Sequence, residues 1–453
     1  MLNSGATFLA TLLATLTFGL ITATMPTADA QTASINAAGN NFDNFRPADY
    51  ERLLTEANVA IEDGRFAIAE QSISDALQII KVNHGLIATE QIPALYLLAR
   101  AYLVQQDWEA LNQHLAYFEW LLGKLEIEDL DAYLSGVEIL NRLYLGTAAD
   151  ISNPQNAHYL IAAKQLNWRA VTALELRYGK QSLQLTPWLY NIMLTHYYQS
   201  ILTRRKGMTS FDYKSEAPDI VNGWSLSKNE SVQRSYNIGY ELLQRIRTLY
   251  ARSEQASPTT DALLQLYLAD WELLFDQGNA ALKSYVKAFE ALEQSGLASE
   301  TLQQLFMQPT IIPRPQMEEV LPPFQQLELA PITFTAWSPV FPGAHQPAKL
   351  SGDPLLPTTK FLAAVKLDLE SSLTQREPGG SSDRFTYRVI NATITSISPA
   401  GAAAEQLALD QVDQLQFRPL WRSGEIQAEE NIQLQFFFAA DINILSSGAI
   451  ASP

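Results

Sequence analysis

Apolar residues between positions 47 and 306 recur mostly at the three- and four-residue spacing of amphipathic helices. Few glycines or prolines fall inside these apolar runs, and turn-forming residues separate one run from the next. The separating positions are Asp63-Gly64, Asn83-His84-Gly85, Gln106-Asp107, Asn153-Pro154, Ser257-Pro258 and Gln277-Gly278. A longer stretch of turn formers at 203–230 predicts an insertion between two helices. The pattern therefore predicts a series of antiparallel helices joined by turns.

Small and large side chains recur along this helical region at matching offsets. Ala57, Ala69 and Ala76 place small residues where two predicted helices must approach closely. The corresponding later positions are Ala99, Tyr102, Trp108, Leu111, Leu115 and Phe118, followed by Ala269, Ala281, Tyr285 and Ala288. This pattern resembles the tetratricopeptide repeat, although the step from Ala57 to Ala99 is longer than the roughly 34 residues of its common form.

The resemblance implies an all-α helical-repeat solenoid over residues 47–306. The concave groove of such a solenoid typically holds an extended or helical peptide. In the frame of the repeat, Asn58, Tyr96 and Arg100 face this groove and are the predicted partner-binding residues of the helical region. The alternative is that these residues line a surface without binding a partner.

Prolines concentrate between residues 307 and 358. Proline interrupts helix interiors and removes a hydrogen bond from a sheet ladder. The segment is therefore predicted to be an extended, semi-rigid linker. A part of it, such as Ile332 to Trp337, is a candidate to pack on the domain that follows.

Apolar and polar residues alternate beyond the linker, which is typical of half-buried β-strands. The alternation runs from Phe361 to Leu369, more loosely from Phe385 to Ile397, and again from Ile432 to Phe438. Helical spacing separates the second and third runs, at Ala404, Leu407, Ala408, Val412 and Leu415. The order predicts a small α+β domain at 359–440, a three-stranded antiparallel sheet with one helix, followed by a tail at 441–453.

A short motif, Phe417-Arg418-Pro419 and then Gly424, follows the predicted helix and precedes the last predicted strand. The motif in this position resembles the C-terminal domain of the TonB family, over roughly residues 360–438. In that family the junction packs the helix end onto the sheet and turns the chain into its last strand. The resemblance therefore implies a structural role for these four residues.

The same resemblance implies a binding mode for the last strand. In the TonB family this domain docks to a short extended segment of an outer-membrane transporter by strand pairing. The resemblance places the exposed edge at about 431–438, and it implies partner-binding residues at Ile432, Leu434, Phe436 and Phe438. The alternative is an ordinary sheet strand whose edge is covered.

Residues 1–30 have the features of a secretory signal peptide. The stretch from Thr7 to Thr24 is uncharged and mostly apolar or small, and Ala28-Asp29-Ala30 matches an A-x-A cleavage pattern. Cleavage before Gln31 predicts export to the periplasm, with residues 31–46 as a flexible tail of the mature chain. The alternative is an uncleaved inner-membrane anchor, and we expect membrane association only in that case.

Composition narrows the classes of function. A formal net charge of −17 argues against a nucleic-acid surface, which needs clustered Lys and Arg. The absence of cysteine excludes disulfides, thiolate metal sites and cysteine nucleophiles. The histidines are scattered without metal-ligand spacing, and no nucleotide-binding or hydrolase motif occurs. The sequence therefore predicts no enzymatic activity, no cofactor and no metal.

These observations predict a periplasmic scaffold for protein–protein interaction. The repeat array is expected to bind partner peptides, and the TonB-like domain an envelope protein, such as an outer-membrane transporter or a component of a TonB system. The alternative is a membrane-anchored energy transducer of the TonB type. The sequence disfavours it because the family's transducing helix carries a histidine motif, whereas the first histidine of this chain is His84.

Overall fold

The computed structural model describes most of the chain from residue 47 onward. The described residues are 47–149, 156–206, 227–307, 309–314, 317, 332–336, 345–347, 360–374, 384–398, 400–413, 415–422 and 425–439. The predicted signal peptide and the predicted tails at 31–46 and 441–453 lie outside the described residues. All described residues belong to one compact unit that begins at Phe45.

Helices dominate the first part of the described chain. They are α1 (Pro47–Glu62), α2 (Phe66–His84), α3 (Gln91–Gln105), α4 (Trp108–Glu128), α5 (Leu130–Ala149), α6 (Asn156–Tyr178), α7 (Thr186–Lys206), α8 (Lys228–Ala251), α9 (Pro258–Leu274), α10 (Gly278–Gln294) and α11 (Ser299–Met307). The predicted breaks at Asp63-Gly64 and Gln106-Asp107 fall between helices, and the one at Ser257-Pro258 falls at the start of α9, so all three are confirmed. The prediction missed the break at Asp129, which separates α4 from α5.

Local chemistry explains where several helices begin. Asp107 accepts a hydrogen bond from the Ala110 backbone N–H at 3.0 Å and caps α4. Ser227 and Glu230 form a capping box at the start of α8. Ser257 caps α9, and the proline that follows it suits the first helical position because its missing N–H has no partner there.

From α1 to α7, each helix packs against the next one. Helix α3 also contacts α1 and α5, the helices two places before and after it. This pattern of contacts is typical of helix pairs that stack side by side. The small residues predicted at close approaches, Ala57, Ala69, Ala99 and Ala281, are all 0% exposed. The described helices are therefore compatible with a helical repeat array.

Among the described residues, the C-terminal part contains nine strands and one further helix, α12 (Ala402–Asp413). The strands are β1 (Ile311–Ile312), β2 (Ile332–Ala336), β3 (His345–Pro347), β4 (Lys360–Thr374), β5 (Arg384–Ser398), β6 (Gln416–Phe417), β7 (Trp421–Arg422), β8 (Glu425–Ile426) and β9 (Glu429–Ala439). The predicted order of strand, strand, helix and strand is present as β4, β5, α12 and β9. These three strands form an antiparallel sheet in which β4 is central.

The sheet is larger than the predicted three strands. Its order is β3-β2-β9-β4-β5, and β2 pairs with β9 in parallel. Strands β2 and β3 come from the Pro-rich segment at 307–358, so this segment is more than the predicted linker. The segment from Ile332 to Ala336 contains no proline and alternates apolar with polar residues, which lets its backbone join the ladder.

Candidate partner-binding surfaces

Two of the predicted groove residues, Asn58 and Arg100, meet where α1 packs against α3, and Tyr96 lies one turn before Arg100 in α3. Tyr96 is 6% exposed and Arg100 is 5% exposed, so both side chains are buried. The Arg100 Nη1 atom donates to Asn58 Oδ1 at 2.6 Å, and its Nη2 atom lies 3.9 Å from Glu62 Oε1. Asn58 is half-buried and Glu62 is exposed, so these two residues carry the accessible polar surface of the cluster. The role of the cluster in binding a peptide stays a prediction.

Sequence reasoning missed a second surface, formed by α2, α3 and α4. The rings of Tyr117 and Trp120 stack at 5.5 Å, and Lys81 Nζ lies 4.9 Å above the Tyr117 ring. Trp120 is 44% exposed, and a groove of about 330 Å³ opens beside Tyr117. An exposed aromatic pair beside a cation offers apolar contact to a peptide. Its sequence signal is two aromatic residues three positions apart on one helix face.

The last strand lies inside the sheet at five of its eleven residues, Leu434 to Phe438, and among the described residues has β4 alone as its neighbour before them. Leu434, Phe436 and Phe438 pair with β4 on one side, at Val365, Ala363 and Phe361. On the other side they pair with β2, at Ile332, Phe334 and Ala336. Ile432 pairs with Leu367 of β4. The predicted exposed edge is therefore not present at the three residues that β2 covers, and their role in partner binding stays a prediction.

The motif after α12 joins the sheet to the helical array. Phe417 is 0% exposed and Arg418 is 1% exposed. Arg418 donates to both carboxylate oxygens of Asp270 in α9, from Nε at 3.0 Å and from Nη2 at 2.6 Å. The Tyr285 hydroxyl of α10 donates to the same carboxylate at 2.8 Å. We call Asp270, Tyr285 and Arg418 the junction network.

The junction network is a buried ion pair with a neutral donor. A guanidinium that binds both oxygens of one carboxylate forms a strong, directional contact. Burial and the neighbouring Asp270 carboxylate raise the pKa of Tyr285 well above its ordinary value, so this phenol stays protonated and donates. Pro419 is buried beside these residues, and Gly424 lies outside the described residues.

Backbone atoms of the C-terminal part make two further close contacts. The Arg418 N–H donates to the Thr310 carbonyl at 2.8 Å, next to the β1–β6 pairing of Ile311 with Phe417. At the start of α10, a Cβ atom added to Gly278 would lie 1.9 Å from the Phe385 carbonyl oxygen. Glycine is therefore required for this approach of α10 to β5.

Three basic residues of α6, α7 and α8 influence one another: His196 is buried, Lys164 is half-buried and Arg234 is exposed. His196 is 6% exposed, and burial, followed by the charges of Lys164 and Arg234, lowers its pKa to about 3. Burial, followed by the charge of Arg234, lowers the pKa of Lys164 to about 8. The histidine ring is therefore neutral at physiological pH, whereas most of the lysine is charged.

A comparison with known protein families finds no match for the chain, and a comparison with curated proteins finds none either. Within the described ranges, no group of three or more histidine and acidic residues is arranged to hold a metal ion. None of the helices described above is both long enough and apolar enough to cross a membrane.

Proposed function

We propose that the protein is an exported, non-enzymatic interaction scaffold of the cell envelope. In this proposal a tetratricopeptide-like array binds partner peptides, and a TonB-like domain docks to an envelope protein by strand pairing. The residue resemblances support both parts, and the consecutive packed helices followed by an α+β sheet are compatible with them.

The observation that carries the proposal is the junction network. Arg418 belongs to the TonB-like motif, whereas Asp270 and Tyr285 belong to the helical array. Because the contact is buried and bidentate, it favours one fixed placement of the sheet on the helices. A partner on the array and a partner on the sheet would then be held near each other, which raises their effective concentration.

Export is tested by the mature N-terminus. The protein is isolated from soluble and membrane fractions of the cells that make it, and its first residue is found by mass spectrometry. A start at Gln31 in soluble envelope material supports the proposal. A chain that retains Met1 in the membrane fraction supports the anchored transducer instead, and an unprocessed chain in the cytosol overturns export.

Binding is tested by photocrosslinking in the same cells. A photoreactive amino acid replaces Val59, which is 46% exposed beside Asn58, or Trp120. The control position is Leu176, which is 84% exposed at the end of α6. We expect defined crosslinked envelope proteins from at least one of the first two positions and none from Leu176. A chain that forms no crosslink at either position is not a scaffold of this kind.

A further inference from the structure

The outer strand β5 has an accessible edge over its second half. At its beginning, the Phe385 N–H donates to Asn279 Oδ1 of α10 at 3.3 Å, so the array covers this end. From Arg388 to Ser398, β5 forms a ladder only with β4 among the described residues. The outward backbone N–H and carbonyl groups of such a strand pair readily with an added strand.

Helix α12 turns this edge into a groove. A cleft of about 520 Å³ lies between the second half of β5 and the helix. Its apolar lining includes Ala392, Ile394 and Ile397 from the strand and Leu409 from the helix, all half-buried. Glu405 of α12 also lines the cleft and is exposed. A peptide that adds to β5 would therefore have apolar surface on one face and a carboxylate nearby.

Two bulges limit the length of strand that this edge accepts. The register with β4 shifts at Ile390 and at Thr395, where one residue of β5 has no partner in the ladder. The Thr395 hydroxyl donates to the Ala364 carbonyl at 3.0 Å, which fixes the second bulge. Bulges prevent long sheets from joining edge to edge. The regular stretch from Asn391 to Ile394 therefore fits a short segment better than β5 of a second copy.

The charges beside the groove favour a basic occupant. Helix α12 contains Glu405, Asp410 and Asp413 and no lysine or arginine. Arg388 is the one charged residue of the edge from Arg388 to Ser398 and stands at its start, whereas the stretch that lines the cleft, from Ala392 to Ile397, contains no charge. A carboxylate at the side of an apolar cleft attracts a cationic side chain, and the uncharged stretch beside it does not oppose this.

We propose that the groove between β5 and α12 binds a short extended segment of a partner protein. The segment adds as a strand to β5, directs alternate apolar side chains towards Ile394 and Leu409, and places a lysine or arginine at Glu405. This inference rests on the proposed function and moves the docking strand from β9, which β2 covers, to β5.

The test uses the full chain and two synthetic peptides. In one, valine alternates with lysine and threonine; in the other, glutamate replaces every lysine. Affinity is measured by fluorescence anisotropy, and amide hydrogen exchange maps the site. We expect the lysine peptide to bind about tenfold more tightly than the glutamate peptide, because the Glu405 carboxylate attracts lysine and repels glutamate. It should slow exchange within residues 388–398.

Two charge reversals complete the test. Glu405→Lys is expected to remove or invert the preference between the peptides. Glu300→Lys, at an exposed residue of α11, is expected to leave it unchanged. Circular dichroism verifies that both variants are folded. The proposal is overturned by a lysine peptide that leaves β5 exchange unchanged at saturating concentration, or by a preference that Glu405→Lys does not alter.

The outcomes separate this inference from the proposed function. A chain that is exported and crosslinks to envelope proteins, but leaves β5 unprotected with either peptide, retains the scaffold and loses the β5 site. A chain that stays unprocessed in the cytosol, but protects β5 with the lysine peptide, retains the peptide site and loses the envelope scaffold.

Discussion

Arg418 and Asp270 form a buried bidentate ion pair although 148 positions separate them in the chain. Their side chains are 1% and 5% exposed. The pair connects the residue that follows β6 to the C-terminal part of α9. Because each charge has lost its hydration, each depends on the other for compensation.

Replacing Asp270 with alanine is expected to destabilise the protein by about 3–5 kcal/mol, because it leaves the Arg418 charge uncompensated. It also removes the acceptor of the Tyr285 hydroxyl. Urea unfolding followed by tryptophan fluorescence measures the change in the free energy of unfolding.

Asp261→Ala is the matched control, on the same helix. Asp261 also binds an arginine, with Arg247 Nη2 donating to Oδ2 at 2.6 Å, but these side chains are 49% and 35% exposed. An exposed pair contributes about 0–1 kcal/mol. The double variant Asp270→Ala with Arg418→Met should be more stable than Asp270→Ala alone. If Asp270→Ala and Asp261→Ala lower the free energy of unfolding equally, the buried pair is no more important for stability than the exposed one.

Two glycine-to-alanine substitutions are expected to have opposite signs. Gly278→Ala places a methyl group against the Phe385 backbone and should destabilise the protein by about 1–3 kcal/mol, because backbone must move. Gly123→Ala lies inside α4, where an added Cβ atom meets nothing within 4 Å. It should stabilise by about 0.5–1 kcal/mol, because alanine loses less entropy in a helix. Thermal unfolding measures the effect of each substitution. If Gly278→Ala stabilises the protein as Gly123→Ala does, Gly278 does not lie so close to Phe385.

Lowering the pH should reduce the free energy of unfolding, because protonation of His196 is unfavourable in the folded protein. Its pKa is 6.5 as a free side chain and about 3 when folded, so the unfolded chain takes up the proton first. The full contribution to stability is present above pH 6.5 and is lost as the pH falls from there towards about 3. The slope approaches about 1.4 kcal/mol per pH unit for this one group.

The variant His196→Phe should show a flatter decline in the free energy of unfolding between neutral pH and about pH 5. His158→Phe is the control, because His158 is exposed. Urea midpoints at several pH values provide the comparison. If the free energy of unfolding falls with pH equally in His196→Phe and in the parent protein, His196 is not the group responsible for the decline.

The parallel pairing of β2 with β9 predicts where a disulfide can form. Thr335 and Phe437 are register partners, and neighbouring strands are about 4.8 Å apart, within the range that a disulfide spans. The double variant Thr335→Cys with Phe437→Cys should oxidise to an intrachain disulfide, without competition because the chain has no cysteine.

Pairing Thr333→Cys with Phe437→Cys is the control, since Thr333 is the partner of Gln435 and lies two positions out of register. Mass spectrometry after protease digestion identifies the linked peptides. Equal yields from the two pairs would show that β2 is not held in this register.

Helix ends were predictable where one residue type sets them locally. Ser257-Pro258 is an N-cap followed by a proline at the first helical position, and both signals are in the sequence. The break at Asp129 was missed because apolar residues continue on either side of it, from Leu125 to Leu130. Asp129 is nevertheless a cap, since it accepts a hydrogen bond from the Ala132 N–H at 3.0 Å.

The parallel pairing of β2 with β9 and the junction network were not predictable, because both depend on partners distant in sequence. From the sequence, Ile332 to Trp337 is a candidate to pack on the following domain, and Ile332 to Ala336 does join its sheet, but the prolines around the segment favour a linker over a strand. Asp270 stands among apolar residues of α9, and no local pattern connects it to Arg418. A charge inside an apolar run was the one available signal that Asp270 has a buried partner.

The junction network of Asp270, Tyr285 and Arg418 also has an evolutionary consequence. A rearrangement of genes that cut the chain in the Pro-rich segment would leave the helices with the buried Asp270 carboxylate and the sheet with the Arg418 charge. Neither fragment would be inherited as a working module. The two parts should therefore be gained, lost and duplicated together across lineages, and substitutions at their shared surface should occur in compensating pairs.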